Sequence, residues 1–266
     1  MRFALLALVL AWCAAPFLWQ VVTSLKPAAE LVSLPPVLPT RLTAGHYAAV
    51  FGDPAFLRVI ANSAVVAALS TVLSLAAGLL AAYALSMLRL RGRRVILVVV
   101  LGISMFPPIA TVSPLFLVLS ALGLRDTLFA LVVVYTAFSL PLALWLLANF
   151  LDTIPRELYV AARVDGCSNF GALRRVILPL AAPGLLAAGL LVFIFSWNEF
   201  LFALSFTATE AARTIPVGIA LFAGLHEIPY GEIAAASVVV TMPVVVLAFA
   251  FQRRIIDGLT AGAVKG

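Results

Sequence analysis

The chain has 266 residues, of which 64% are hydrophobic and only 11% charged. A soluble domain carries about 25% charged residues, so this composition excludes a water-solvated globule and makes lipid the main solvent. The formal net charge of +6 raises the question of nucleic acid, which the placement of the basic residues answers below.

Runs free of Asp, Glu, Lys and Arg give the elements in chain order. The first is Phe3–Leu25. Arg2 and the small alanines resemble a signal peptide, but the stretch is too long for an apolar region of about 7–15 residues. Trp12 before Cys13 also makes a poor lipobox, so the run reads as a retained helix. Residues 26–58 form a long loop with Pro35, Pro36 and Pro39. It either reaches something outside or merely connects helices.

The second run is Val59–Leu88, opened by Asn62 and Ser63 and closed by Tyr83 and Ser86, which read as packing or interface residues rather than ligand groups. Arg89, Arg91, Arg93 and Arg94 follow. The third run, Val95–Leu124, contains Pro107, Pro108 and Pro114, which predict a kink or a broken helix. The fourth is Thr127–Leu151, the fifth Val176–Asn198 and the sixth Ile233–Gln252. Each is long enough to cross a hydrocarbon core of about 30 Å as a helix, and none alternates as a barrel strand does. The fold class is therefore all-α, a polytopic bundle of six transmembrane helices.

With the N-terminus inside, the cytoplasmic segments hold Arg2, the four arginines of 89–94, Arg156, Arg163, Arg174, Arg175, Arg253, Arg254 and Lys265. The outer segments hold only Lys26, Arg41, Arg58, Arg125 and Arg213. The positive-inside rule selects N-in, C-in, and the basic excess becomes a topology signal with no need of nucleic acid. Trp145 and Trp197 either stack on a ligand's ring or, as is commoner near span ends, serve as interface anchors. Cys13 and Cys167 suggest no disulfide framework or zinc site. His46 and His226 fall in expected loops without metal-ligand spacing.

The most informative stretch is the cytoplasmic loop at 152–178. Pro155 suits the start of a helix and Glu157 its positive end. Leu158, Ala161 and Ala162 share a narrow face of small residues that permits close approach. Gly166 ends this helix. Ser168 caps a second, with Phe170, Leu173 and Ile177 along one side, and Pro179 marks the entry to the fifth span. The expected shape is a knob of two short helices bent at Gly166. At the outer end of the fifth span lie Trp197, Asn198 and Glu199. Intramembrane ionisable groups usually face a cavity or partner, so these residues either line a path or hold the bundle together. A second outer loop runs from 205 to 231.

The pattern Ala161-Ala162, Asp165-Gly166, Leu178-Pro179 with Pro183 resembles the coupling loop of binding-protein-dependent ABC importer permeases. Two departures stand out: Val160 replaces the glutamate directly before the two alanines, with Glu157 the nearby acid, and Val176 replaces the usual isoleucine. Ser196-Trp197-Asn198-Glu199-Phe200 resembles the signature of carbohydrate permeases. The tail from Gly258 through Gly262 and Lys265 resembles that of MalG-type subunits in maltose and trehalose importers. The resemblance covers essentially the whole chain and implies one type I permease domain over 1–266. It implies docking of the loop on a dimer of MalK-like ATPases, which hold ATP and Mg, with the tail reaching along that dimer. It further implies a second, MalF-like permease, an extracytoplasmic sugar-binding protein and a sugar substrate such as trehalose or maltose. No Gly-x4-Gly-Lys-Ser/Thr loop occurs in the chain, so ATP must be handled by a partner and this chain is not the enzyme.

Overall fold

A computed structural model describes residues 2–31, 38–88, 90–222 and 228–260, with side chains omitted at 2 and 253–260. Twelve helices are present among them: α1 (Arg2–Ser24), α2 (Gly45–Gly52), α3 (Pro54–Met87), α4 (Arg93–Ser104), α5 (Pro108–Ala121), α6 (Leu128–Leu151), α7 (Arg156–Val164), α8 (Asn169–Ala172), α9 (Leu178–Asn198), α10 (Leu201–Phe206), α11 (Ile215–Ala220) and α12 (Tyr230–Thr260). Five continuous stretches are long and apolar enough to span: α1, α3, α6, α8 through α9, and α12. The pair α4–α5 is bent by 85° at the break between Ser104 and Pro108. The expected interruption falls at Pro107-Pro108, where two prolines remove backbone donors. Pro114 lies inside α5 without ending it.

The bent pair can be counted by topology. Ser70, Ser74 and Ser86 of α3 point at the carbonyls of Val132, Thr136 and Ala148 of α6, each exactly matched by a sequence offset of 62. A constant offset means that α3 and α6 run parallel. The chain between them therefore crosses the membrane once, and α4–α5 is one broken span, giving six. Serines and glycines let the backbones approach: a Cβ on Gly78 would meet Ala143 Cβ at 3.2 Å.

The core is the bundle of α3, α6 and α9, with α12 against α9, α1 outermost along α12, and α4 on the flank of α6. Its cytoplasmic half is filled by Leu147, Leu151, Tyr83 and Ile177. The outer half holds two clusters, around Trp197 and Ala235 and around Tyr135 and Phe202.

Three boundaries differ from the apolar runs. Helix α3 begins at Pro54, capped by Asp53, whose side chain accepts from Ala55 N at 2.9 Å. Its 34 residues reach about 51 Å, beyond the hydrocarbon core. The fifth span begins at Asn169 through a π-helical turn at Leu173–Ile177. Pro179 lacks an N–H and its ring would crowd the carbonyl of residue 175, so the widened turn just before it relieves both. The outer loops contain α2, α10 and α11, and His46 lies on α2 rather than in a loop; His226 lies outside the described residues.

Candidate functional site

The cytoplasmic loop is built as a closed unit. Gly166 adopts φ +85°, a left-handed conformation that a side chain disfavours. Its N–H donates to Arg163 O at 3.2 Å and Cys167 N–H to Ala162 O at 3.0 Å, the two bonds of a Schellman cap that satisfies the last carbonyls of α7. The Ser168 hydroxyl then accepts from Gly171 N at 3.0 Å and starts α8.

The inner face of this loop is clasped to the bundle. The Tyr83 hydroxyl donates to Asn169 O at 2.8 Å, and the Tyr159 hydroxyl donates to Asn169 Oδ1 at 3.1 Å. The two tyrosine rings meet edge to face at 6.1 Å. Arg156 Nε adds a long contact of 3.4 Å to Met87 O at the end of α3.

The placement of the expected residues follows. Glu157 lies exposed in the first turn of α7. Leu158, Ala161 and Asp165 are exposed, as are Leu178 and Pro179. Ala162 is not on the presented face: it is 5% exposed and packs inward with Tyr159. The outward surface is instead extended by Val160 and by Val164, which is 81% exposed. The second helix also differs from expectation. It is a single turn that flows into the fifth span, and Phe170 points outward while Leu173 and Ile177 are buried. The shape is one free-standing helix, α7, turned back at Gly166 onto the root of a span.

Trp197, Asn198 and Glu199 are placed together but in three different settings. Trp197 is buried, donates from Nε1 to Val240 O at 3.2 Å and stacks on Phe193 with centroids 5.4 Å apart. It locks α9 to α12 and is no interface anchor. Asn198 is exposed and donates to Ile194 O at 2.8 Å in its own helix. The Glu199 carboxylate accepts from Phe202 N at 2.9 Å and Ala203 N at 3.1 Å, which starts α10 as a helix-terminal acid does. Beside them opens a cleft of about 280 Å³ lined by Trp197, Asn198, Pro216, Ile219 and Thr241. In the tail, Gly258 lies within α12, while Gly262 and Lys265 lie outside the described residues.

The sequence reading missed how the outer loop is fixed. Asn62 Nδ2 donates to the carbonyls of Ala211 and Arg213 at 3.0 and 2.9 Å, and Ser63 Oγ accepts from Ile215 N at 2.7 Å. Asp126, at φ +59°, accepts from Ala208 N, Thr209 N and the Thr209 hydroxyl at 2.7–3.0 Å. Burial works to raise its pKa, but these bonds and nearby Arg125 outweigh it and hold the carboxyl below its ordinary value of 3.8. Polar residues beside a span end were the available signal.

A six-span bundle carrying a cytoplasmic helix clasped to its inner end defines a multi-pass membrane protein. Residues 74–260 match the model of the binding-protein-dependent transport system inner membrane component, and the chain belongs to that family. It is 44% identical over 257 residues to the trehalose/maltose transport system permease protein MalG of Thermococcus litoralis, covering 96% of this chain and 92% of the relative. It is also 44% identical over 261 residues to the trehalose transport system permease protein SugB of Mycobacterium tuberculosis, covering 97% and 95%. Among solved structures, a bacterial ABC transporter importing the acidic polysaccharide alginate matches with a TM-score of 0.80 at 25% identity, over 95% of this chain and 94% of that one.

Proposed function

We propose that this chain is one of two membrane subunits of an ATP-driven importer of a di- or oligosaccharide such as trehalose or maltose. The observation that carries this reading is the α7 helix, which exposes Leu158, Val160, Ala161 and Val164 beside Glu157 and Arg163 and is hydrogen-bonded to α3 and α8 on its inner face. In this reading ATP closes a dimer of ATPase subunits, and α7 moves with the surface it rests on. The clasp at Tyr83, Tyr159 and Asn169 passes that movement to two spans at once. Glu157, Ala161, Asp165, Gly166, Leu178 and Pro179 form or shape the docking surface; Ala162 holds the helix down from below. The tail with Gly258, Gly262 and Lys265 follows the ATPase dimer.

On the outer side, a binding protein delivers sugar to this subunit and its companion permease. The loop at 205–231 touches the binding protein. Trp197 and Glu199 keep the cleft in shape, and exposed Asn198 offers the path a polar side chain. Support for a sugar comes from relatives whose names include trehalose, maltose and, in Agrobacterium fabrum, sulfoquinovosyl glycerol. The test is uptake of labelled trehalose and maltose by cells with and without this chain, with its companion subunits present. Uptake that does not depend on the chain would remove the proposal.

A further inference from the structure

We propose that the cytoplasmic flank between α4 and α6 is a binding site for the headgroup of an anionic phospholipid. The site rests on topology and side chains there and is independent of the coupling role of α7. An open cleft of about 650 Å³ is lined by Leu90, Gly92, Arg93, Arg94, Val95, Leu97 and Asp152. It lies at the cytoplasmic boundary, because Asp152 follows α6 and precedes α7, and Arg91–Arg94 follow the inner end of α3. Two arginines, at 93 and 94, line it beside one carboxylate, Asp152, leaving the cleft net cationic. Basic pockets between spans on this side of a membrane attract anionic headgroups.

Two details make the cleft more than a topology signal. Arg93 pairs with Asp152, yet its Nε is buried and meets no acceptor among the described residues. A buried guanidinium donor left unpaired is costly, and a phosphate oxygen satisfies guanidinium donors well. Below the cleft, no side chain of α4 is buried. Val95, Val99 and Ile103, at i, i+4 and i+8, are 65%, 52% and 66% exposed. They make an apolar stripe of about 12 Å leading from the arginines into the bilayer, a track for an acyl chain. A soluble phosphate compound has no use for that stripe, so the occupant is a lipid.

The experiment places the full-length chain, co-purified with its companion subunits, in nanodiscs of phosphatidylcholine with or without one quarter phosphatidylglycerol. It reads lipid retained after detergent extraction by native mass spectrometry, and thermal unfolding of the same samples. Wild type should retain phosphatidylglycerol in preference to phosphatidylcholine and unfold at higher temperature in its presence. The double variant R93Q/R94Q should lose roughly thirtyfold of that preference. R174Q/R175Q, which removes two exposed cytoplasmic charges elsewhere, should keep it. Asp152→Asn should strengthen the preference by freeing Arg93. The proposal is overturned by equal retention of the two lipids by wild type; by equal losses in both double variants; by weaker retention in Asp152→Asn; or by equal stabilisation in phosphatidylcholine by millimolar glycerol 3-phosphate, which would assign the cleft to a soluble phosphate. If R93Q/R94Q leaves lipid retention intact but releases the companion permease on purification, the face is a protein interface and the lipid assignment fails.

Discussion

The hydroxyl of Tyr83 on α3 donates to the main-chain carbonyl of Asn169 at 2.8 Å, across 86 residues of sequence. Because Asn169 begins the fifth span and its own side chain accepts from Tyr159 of α7, one residue joins a long span, a second span and the cytoplasmic helix. Tyr83→Phe keeps the ring and its edge contact while removing the donor. The expected loss is about 1 kcal/mol of stability, with faster amide exchange over residues 156–172 and lower uptake per ATP hydrolysed. Unchanged exchange in that segment would show that the clasp does not hold the loop.

Gly166 offers a graded series. At φ +85°, a β-branched residue is strained by about 1–3 kcal/mol, whereas Asn visits this region more readily. A Cβ there meets nothing within 4 Å, so the cost is conformational rather than steric. Gly166→Val should abolish uptake while the protein still inserts in the membrane, and Gly166→Asn should retain a large part of it. Equal activity in the two would mean that the left-handed turn does not matter. The readouts are labelled-sugar uptake and membrane-fraction abundance.

How much of this was legible beforehand varies with the physics. Six apolar runs located six crossings because crossing length is set by the bilayer. The same counting misplaced helix ends, since Arg58, Arg174, Arg175 and Glu232 end an apolar run but not a helix. Gly166 and Ser168 were readable because turn and cap chemistry is local. The inward placement of Ala162 was not, because a small residue serves equally under a helix or on its exposed face, and only the position of Tyr83 decides. Likewise, Trp197 near a span end suggests an interface anchor until Val240 O is found opposite it. The partners of Asn62 lie about 150 residues away, beyond any local pattern.

The outer pin at Asp126 predicts a pH response. Its folded pKa lies below the ordinary value, so its contribution is fully present above the unfolded pKa and is lost as pH falls through the folded one. Exchange protection of the amides of Ala208 and Thr209 should therefore stay level from pH 7 to about 5 after correction for intrinsic rates. It should fall only below about pH 4. Asp126→Asn should weaken protection at neutral pH and flatten this dependence. A loop that loosens already between pH 7 and 6 would point to a different titrating group.

Packing between α6 and α9 gives the sharpest steric test. A Cβ on Gly184 would sit 2.3 Å from Cγ of the Phe150 ring, so the ring lies in a notch that only glycine leaves open. Gly184→Ala should cost about 1–3 kcal/mol through overpacking and lower the thermal midpoint of the detergent-solubilised protein. If the ring is the cause, Phe150→Leu should relieve part of that loss, although alone it destabilises. The coupling energy of the double-mutant cycle should then be favourable, within the 0.5–3 kcal/mol found for residues in contact. Additive losses would mean that the helices separate locally to admit the methyl group, and that the close approach of α6 and α9 is not set by this pair.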